Sequence, residues 1–191
     1  MKISTRIGDK GKSRLYSGRM LGKSSLVFEV LGNFDELNTA LGLCKSEIAK
    51  IPDQVGNDSR SGNDREGGIN KEEFFKILEI LQTDIYRIMA IIGSDLKVPK
   101  EIHEIDRKDV LLLEQFIEKF ESEGGEVGKF VMPGENEASA RLHFARAVCR
   151  RAERSLVAYD KAEAGSFGGV PEFILQYVNR MSDLLFLMAC F

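Results

Sequence analysis

Apolar residues recur every three or four positions in five separate stretches of this 191-residue chain. That spacing places them on one face of an α-helix, so each stretch is predicted to be an amphipathic helix with one buried face. Short connections and the lack of alternating strands predict an all-α, up-and-down five-helix bundle. The predicted helices cover about 24–51, 71–94, 106–123, 136–159 and 171–191, within a single domain over 1–191.

Two segments fall outside this helical pattern. Residues 1–23 are rich in glycine and basic side chains, and we expect an ordered arm with short strand-like pieces. Residues 52–70 contain almost no large apolar side chain, so they cannot bury enough surface to offset the entropy of ordering the chain. They are therefore predicted to form a mobile loop.

The composition is that of an ordinary globular domain, with 43% hydrophobic and 30% charged residues and a net charge of -3. A negative net charge provides no basic field for nucleic acid. No apolar run approaches the roughly 20 residues that cross a bilayer, and the first residues lack the apolar stretch of a secretory signal. The sequence thus predicts neither a nucleic-acid nor a membrane partner.

The cysteines and histidines do not form a recognisable metal motif. Cys44, Cys149 and Cys190 are odd in number, far apart and set among apolar residues. They are interpreted as buried free thiols in a reducing compartment, which predicts a cytoplasmic protein. His103 and His143 occur in no zinc-protease or di-iron spacing, so both kinds of metal enzyme are disfavoured.

The predicted fourth helix carries a row of arginines. Arg146, Arg150 and Arg154 are spaced i, i+4, i+8 and therefore project from one face. Their guanidinium groups repel one another unless anions lie between them, and Glu153, three residues after Arg150, can orient one of them. The anionic partner could be protein carboxylates or a polyphosphate, which the planar fork of arginine suits well. The alternative is a solvated face with scattered salt bridges.

Polar residues also interrupt two other helices. Asp35 and Glu36 lie beside the apolar stripe of the first helix, and Asn179 and Asp183 lie one turn apart in the fifth. Either ordinary surface polarity or a binding site accounts for each of them taken singly.

The N-terminal arm has the composition of a phosphate-binding segment. Its glycines let the backbone approach an anion, and successive N–H groups can surround a phosphate. It is not a Walker A loop, because Ser17 stands where the first glycine belongs and no apolar strand precedes it. A P-loop phosphotransferase is therefore the least favoured function.

Six segments can be read together, in order along the chain: TRIGDKGKS at 5–13, GNFDELN at 32–38, GSDL at 93–96, FVMPG at 130–134, HFARAVCRRAER at 143–154 and YVNRMSDLLF at 177–186. They resemble the motifs of the PduO-type ATP:cob(I)alamin adenosyltransferases. The departures from the family pattern are Arg6 and Ile7, where lysine and threonine are usual, Glu135, where a second glycine is common, and the polar loop at 52–70.

The resemblance implies a ferritin-like bundle that assembles as a homotrimer, with ATP bound between neighbouring subunits and Mg²⁺ carried on its phosphates. Asp35 and Arg146 match a salt bridge across the subunit interface, and Phe130 matches an aromatic at the lower face of the corrin. These three residues and Arg150 are the implied catalytic residues. The implied nucleotide-binding residues are Thr5, Arg6, Ile7, Gly8, Ser13, Arg14 and Lys23 of the arm, and Arg150, Arg151, Glu153, Arg154 and Asn179 of the helices.

The implied reaction is transfer of the 5′-deoxyadenosyl group of ATP to the Co(I) of reduced cobalamin, with release of triphosphate. The implied partners are a cobalamin reductase and an enzyme that uses adenosylcobalamin. Two other functions stay open: a non-catalytic nucleotide-sensing or corrinoid-delivery protein on the same scaffold, and a helical oligomerisation module in which the arginine row forms only salt bridges.

Overall fold

The computed structural model describes residues 6–51, 69–124 and 131–191, without side-chain detail for Ile7 and residues 163–167. The five predicted helices are confirmed, and a 3₁₀ turn (Ile7–Lys10) and two short strands precede them. None of these helices is long and apolar enough to cross a membrane. The elements are β1 (Lys12–Arg14), β2 (Met20–Gly22), α1 (Leu26–Ile48), α2 (Lys71–Gly93), α3 (Arg107–Gly124), α4 (Glu137–Phe167) and α5 (Glu172–Ala189).

The helix boundaries follow local chemistry. The Asn70 side chain accepts a hydrogen bond from the Glu73 amide at the start of α2, and Asn136 does the same for Ser139 at the start of α4. The helix α4 continues beyond the predicted end at 159 because residues 160–167 favour helix but carry no apolar stripe. It ends at Gly168, whose φ of +84° suits a glycine.

The predicted loop at 52–70 lies mostly outside the described residues. Only its last two residues are described, and both are engaged in the bundle. Besides the cap formed by Asn70, the Ile69 amide donates to the Glu123 carboxylate of α3 at 2.9 Å. The start of α2 is therefore held by a side chain from the end of α3.

Consecutive helices run in opposite directions. Glu36 pairs with Arg151, and Glu47 with Arg141, so α1 and α4 are antiparallel. Equivalent contacts make α1 and α2, α2 and α3, and α4 and α5 antiparallel as well. The predicted up-and-down arrangement is confirmed. In space α1 packs on α2 and α4, and α5 packs on α4 and α3.

A polar network is buried where α2, α3 and α5 meet. The Tyr177 hydroxyl donates to Asp84 Oδ2 at 2.6 Å, and Arg87 Nη1 binds the other Asp84 oxygen at 2.6 Å. Arg87 also holds both carboxylate oxygens of Asp109 at 3.0 Å. Such a network fixes the relative position of three helices because each buried polar group needs its partner.

The N-terminal arm folds as a small hairpin, in agreement with the expected strand-like pieces. The strands β1 and β2 are antiparallel, with Ser13 opposite Leu21. Leu15, in the loop between them, is buried in the core of the bundle. The arm is thus anchored at its loop, and Lys12 and Lys23 lie toward its open end.

Candidate functional site

A groove of about 500 Å³ runs over α5, between α3 and α4. Its polar wall combines arginines of α4 and α5 with carboxylates, and its apolar end is formed by α3 and α5. The lining residues are Glu114, Ile117, Glu118, Glu121, Arg146, Arg150, Arg180, Ser182, Asp183, Phe186 and Leu187.

The structure divides the arginines of α4 between different surroundings. Arg146 and Arg150 line the groove. Arg151 lies on another face and pairs with Glu36 of α1. Arg154 Nη1 donates to the Arg150 carbonyl at 3.0 Å and is not part of the groove wall. The predicted row of three therefore contributes two guanidinium groups to the groove.

These two guanidinium groups keep unused donors. No hydrogen bond or ion pair with the described residues engages the guanidinium of Arg150. Arg146 lies over the Phe186 ring, with its guanidinium carbon 5.9 Å from the ring centre, and its Nε is buried without a partner among the same residues. Because an unpaired buried donor is costly, the groove is suited to an incoming anion or carboxylate.

A hydrogen-bonded chain of side chains leads from the groove wall to α4. Glu114 accepts from Arg180 Nε at 2.9 Å, and Arg180 Nη1 donates to Asn179 Oδ1 at 2.9 Å. Asn179 Nδ2 in turn donates to Glu153 at 3.2 Å. Within the described chain Glu153 therefore bonds to α5 rather than to an arginine of the row. These bonds hold Asn179 and Glu153 in fixed orientations.

The charges in the groove alter how its groups ionise. Burial, reinforced by the Glu153 charge, raises the pKa of the Asp183 carboxyl, while Arg180 and Arg150 oppose the rise. Burial and the nearby Arg146 guanidinium lower the pKa of His143, whose ring nitrogens are both buried without a partner in the described part of the chain. His143 is therefore neutral at pH 7.

One wall of this groove was not predicted from the sequence. Glu114, Glu118 and Glu121 project from α3 toward the arginines of α4 and α5. Their spacing of four and three residues is a visible sign of an acidic face. It could not be matched with the arginines, because no sequence pattern places α3 beside α5.

The arm gathers a second set of the implied residues. Lys23 Nζ lies so close to Gly8 that a Cβ on this glycine would be only 2.9 Å from it, and the Lys23 amide donates to the Gly11 carbonyl at 2.8 Å. Ser13 is half-buried and Arg14 is exposed. A lysine folded over a glycine-containing turn is an arrangement suited to phosphate oxygens.

Four implied arm and loop positions are only partly covered by the structure. Arg6 is exposed, with a φ of +58° in the left-handed region. The backbone of Ile7 begins the 3₁₀ turn. Thr5 and Phe130 lie outside the described residues.

Within one chain the basic residues of the arm are not bonded to the arginines of the groove. No hydrogen bond or ion pair between described residues joins Arg14 or Lys23 to Arg150. Asp35 is exposed on α1 and likewise has no ion pair within the described part of the chain. Because Glu36 is level with Arg151, Asp35 lies roughly six residues, or ~9 Å along the axis, from Arg146.

An apolar face lies between α1 and α4. Leu43 and Phe144 are 46% and 53% exposed, and both line a surface cavity of about 570 Å³ with Ala40 and Ala140. Asp35 is two helical turns from Leu43, on the same side of α1. Large exposed apolar side chains beside one another are typical of contact surfaces.

Known proteins similar to this chain in sequence and in structure point to the same family. The profile of the cobalamin adenosyltransferase family matches residues 3–191. The chain is 32% identical over 190 residues to corrinoid adenosyltransferase PduO of Salmonella typhimurium, a match covering 99% of this chain and 49% of that protein. It is also 32% identical over 191 residues to a corrinoid adenosyltransferase of Bacillus subtilis, covering 99% of this chain and 85% of that one.

The chain thus spans about half the length of the Salmonella relative. Among solved structures, it resembles a variant of a PduO-type ATP:corrinoid adenosyltransferase from Lactobacillus reuteri complexed with cobalamin and ATP. The TM-score is 0.75 at 25% identity, with 98% of this chain and 89% of the other covered.

Proposed function

Because the chain belongs to the cobalamin adenosyltransferase family, we propose that it transfers the 5′-deoxyadenosyl group of ATP to the Co(I) of reduced cobalamin. The cobalt lone pair forms the Co–C5′ bond, the C5′–O bond breaks, and its electron pair leaves with triphosphate. The observation that carries this proposal is the groove, where the Arg150 guanidinium, unpaired among the described residues, lies beside the preorganised pair Asn179–Glu153.

The nucleotide is held by the two basic sets. A leaving triphosphate concentrates negative charge, which preorganised cations stabilise as it develops. Arg150 supplies positive charge from the groove, and Lys23, with Ser13 and Arg14, binds the phosphates from the arm. Thr5, Arg6, Ile7 and Gly8 complete the arm, while Arg151 and Arg154 add positive charge nearby.

The Mg²⁺ that accompanies ATP rides on the phosphates. Across the described ranges, no group of three or more metal-ligating side chains is assembled that could hold an ion by itself. The protein therefore orients the nucleotide and its charge, and the carbon–cobalt chemistry belongs to the corrinoid.

The corrinoid occupies the apolar end of the groove. Phe186 and Leu187 form that end beside Arg146. Phe130 stands one residue before the described segment that leads into α4, and its role is to exclude an axial ligand from the cobalt. Loss of that ligand makes reduction of Co(II) to Co(I) easier.

The active unit is a homotrimer with its sites between copies. The apolar face around Leu43 and Phe144 supports this assembly, since it buries naturally against another copy. Asp35, on the same side of α1, reaches the guanidinium of Arg146 in the neighbouring copy. The arm of one copy likewise completes the groove of the next.

The remaining assignments follow the family. The protein acts in the cytoplasm, receives electrons from a cobalamin reductase and delivers its product to an adenosylcobalamin-dependent enzyme. The whole chain acts as one adenosyltransferase domain, in which residues 1–23 are the nucleotide arm.

An absorbance assay tests the function. Purified protein, ATP, Mg²⁺ and chemically reduced cobalamin should give a light-sensitive alkylcobalamin, and Arg150→Ala should lower kcat/KM at least ~100-fold, as removal of a transition-state charge partner typically does. Arg107→Ala, an exposed arginine of α3 outside the groove, is the matched control. Full turnover by Arg150→Ala contradicts the assigned role.

The same assay separates the alternatives. No product, together with a rise in melting temperature on adding ATP, indicates a sensor or delivery protein. Neither product nor an ATP-dependent shift leaves a helical oligomerisation module.

A further inference from the structure

The turn that follows α2 has an unusual backbone. Asp95 and Leu96 have φ angles of +56° and +61°, in the left-handed region that non-glycine residues seldom adopt. The Leu96 amide donates to the Ile91 carbonyl at 3.0 Å, which ends the helix in the manner of a Schellman motif. A glycine would form this turn without strain, so the Asp95 side chain must supply something that the turn alone does not require.

That side chain holds the loop of the N-terminal hairpin. Asp95 Oδ1 lies 2.5 Å from Arg19 Nη2, and the Asp95 side chain is only 14% exposed. Two residues earlier, the Gly93 carbonyl accepts from the Ser17 amide at 3.0 Å. With Leu15 buried in the core, the loop is attached to the bundle by one apolar, one backbone and one ionic contact.

The strands of the hairpin carry the residues proposed to bind phosphate. Ser13 and Arg14 are in β1, with Arg14 next to the loop, and Lys23 directly follows β2 at the open end. The amides and carbonyls of Leu15, Gly18 and Arg19 form a tight turn, with bonds of 2.9 Å from Leu15 to Arg19 and from Gly18 to Leu15. Because the hairpin is short, holding its loop restricts the position of its open end.

We propose that Asp95 is a positioning residue for ATP, acting through Arg19 to preorganise the arm without touching the nucleotide. This inference rests on the proposed function. Ordering a free arm on binding costs conformational entropy, and a pre-anchored arm avoids part of that cost. Loss of the ion pair therefore weakens ATP binding and leaves the chemical step and the corrinoid site unchanged.

Steady-state kinetics of Asp95→Asn test the proposal. Asparagine tolerates the left-handed backbone as well as aspartate does but removes the charge. The KM for ATP should rise roughly three- to fivefold, as expected for loss of a partly exposed ion pair. The kcat at saturating ATP and the KM for cobalamin should stay within about twofold of wild type, and the melting temperature should fall by no more than about 4 °C.

A double-mutant cycle identifies the pair as the cause. Arg19→Gln should reproduce the effect of Asp95→Asn, and the double variant should be no worse than either single variant. Glu79→Gln removes another ion pair between two elements, with Lys45, in which the carboxylate is more exposed than that of Asp95; it lies far from the arm and should leave the kinetic parameters unchanged. Limited trypsin digestion should cleave the arm faster in Asp95→Asn than in the control.

The outcomes are distinct from failure of the proposed function. If wild type makes no alkylcobalamin, the function itself fails. If wild type is active but Asp95→Asn keeps its KM for ATP, or the two single effects add in the double variant, the positioning role is wrong. A fall in melting temperature with parallel loss of all kinetic parameters would assign Asp95 a merely structural role and also overturn the proposal.

Discussion

Replacing Tyr177 by phenylalanine removes one oxygen from the buried network between α2 and α5. The Tyr177 hydroxyl donates to Asp84 at 2.6 Å, and the two residues are 1% and 5% exposed. The phenylalanine ring fills the same space, so no cavity accompanies the change. What is lost is a hydrogen bond to a carboxylate that water cannot readily replace.

The expected cost follows from the charge of the acceptor. A hydrogen bond to a charged group contributes about 1.5–3 kcal/mol, and here Asp84 keeps its ion pair with Arg87. For a domain of this length, each kcal/mol shifts the melting temperature by about 2–4 °C. Tyr177→Phe should therefore lower the melting temperature by roughly 3–12 °C.

The pH dependence of this loss has a defined sign. Burial, and then the negative charge of Asp84, raise the pKa of Tyr177 well above its usual value, so the hydroxyl keeps its proton through pH ~9. The loss of unfolding free energy caused by Tyr177→Phe should be constant between about pH 6 and 9. Above about pH 10 the unfolded tyrosine ionises while the folded one does not, so the advantage of tyrosine over phenylalanine should narrow.

Urea unfolding followed by circular dichroism, at one protein concentration because assembly affects stability, measures the effect. Tyr86→Phe is the matched control, since Tyr86 lies on α2 with 62% of its surface exposed. The unfolding free energy of Tyr86→Phe should stay within about 0.5 kcal/mol of the wild-type value. Equal losses for the two variants would refute the reasoning about the buried network.

Three further predictions concern other parts of the chain. Burial and Arg146 lower the pKa of His143, so the histidine of the unfolded state is protonated first, and the free energy of unfolding should fall as the pH drops below about 6.5. Between about pH 7 and 5.5 the urea midpoint of His143→Phe should therefore change less than that of wild type, and an equal change in both proteins contradicts this. Burial raises the pKa of Cys44 to about 12 and also raises that of Cys149, so neither thiol should react with a disulfide reagent at about pH 8 until the protein unfolds; rapid labelling of the folded protein at either position would contradict this. Asp35→Arg should weaken the proposed trimer in light-scattering measurements, and adding Arg146→Asp should restore it. Assembly that neither change affects would reject the proposed cross-subunit pair.

The arginine row shows how far spacing alone could reach. The i, i+4 pattern correctly placed Arg146 and Arg150 on a common face. It could not show that Arg151 meets Glu36 on α1 or that Glu153 meets Asn179 on α5. Each of those pairs depends on which helices are neighbours, and helices far apart in sequence become neighbours only through packing.

The hairpin arm shows the same limit: the sequence identifies the segment but not its contacts. Its glycines and basic residues are enough to mark it as a candidate phosphate-binding segment from composition alone. The GSDL segment at 93–96 matches a family motif, but nothing in its letters shows that Asp95 faces Arg19. That contact exists because the hairpin loop rests on the end of α2.

By itself, the sequence determined the five helices, their alternating directions, the basic arm and the common face of Arg146 and Arg150, which line the groove. These features depend on periodicity, on helix caps and on short motifs, all of which are local along the chain. Only the tertiary structure decided the groove over α5, its acidic wall from α3, the chain from Glu114 to Glu153, and the attachment of the arm by Asp95. These join residues about 25 to 75 positions apart, and side-chain packing, rather than local propensity, selects such contacts.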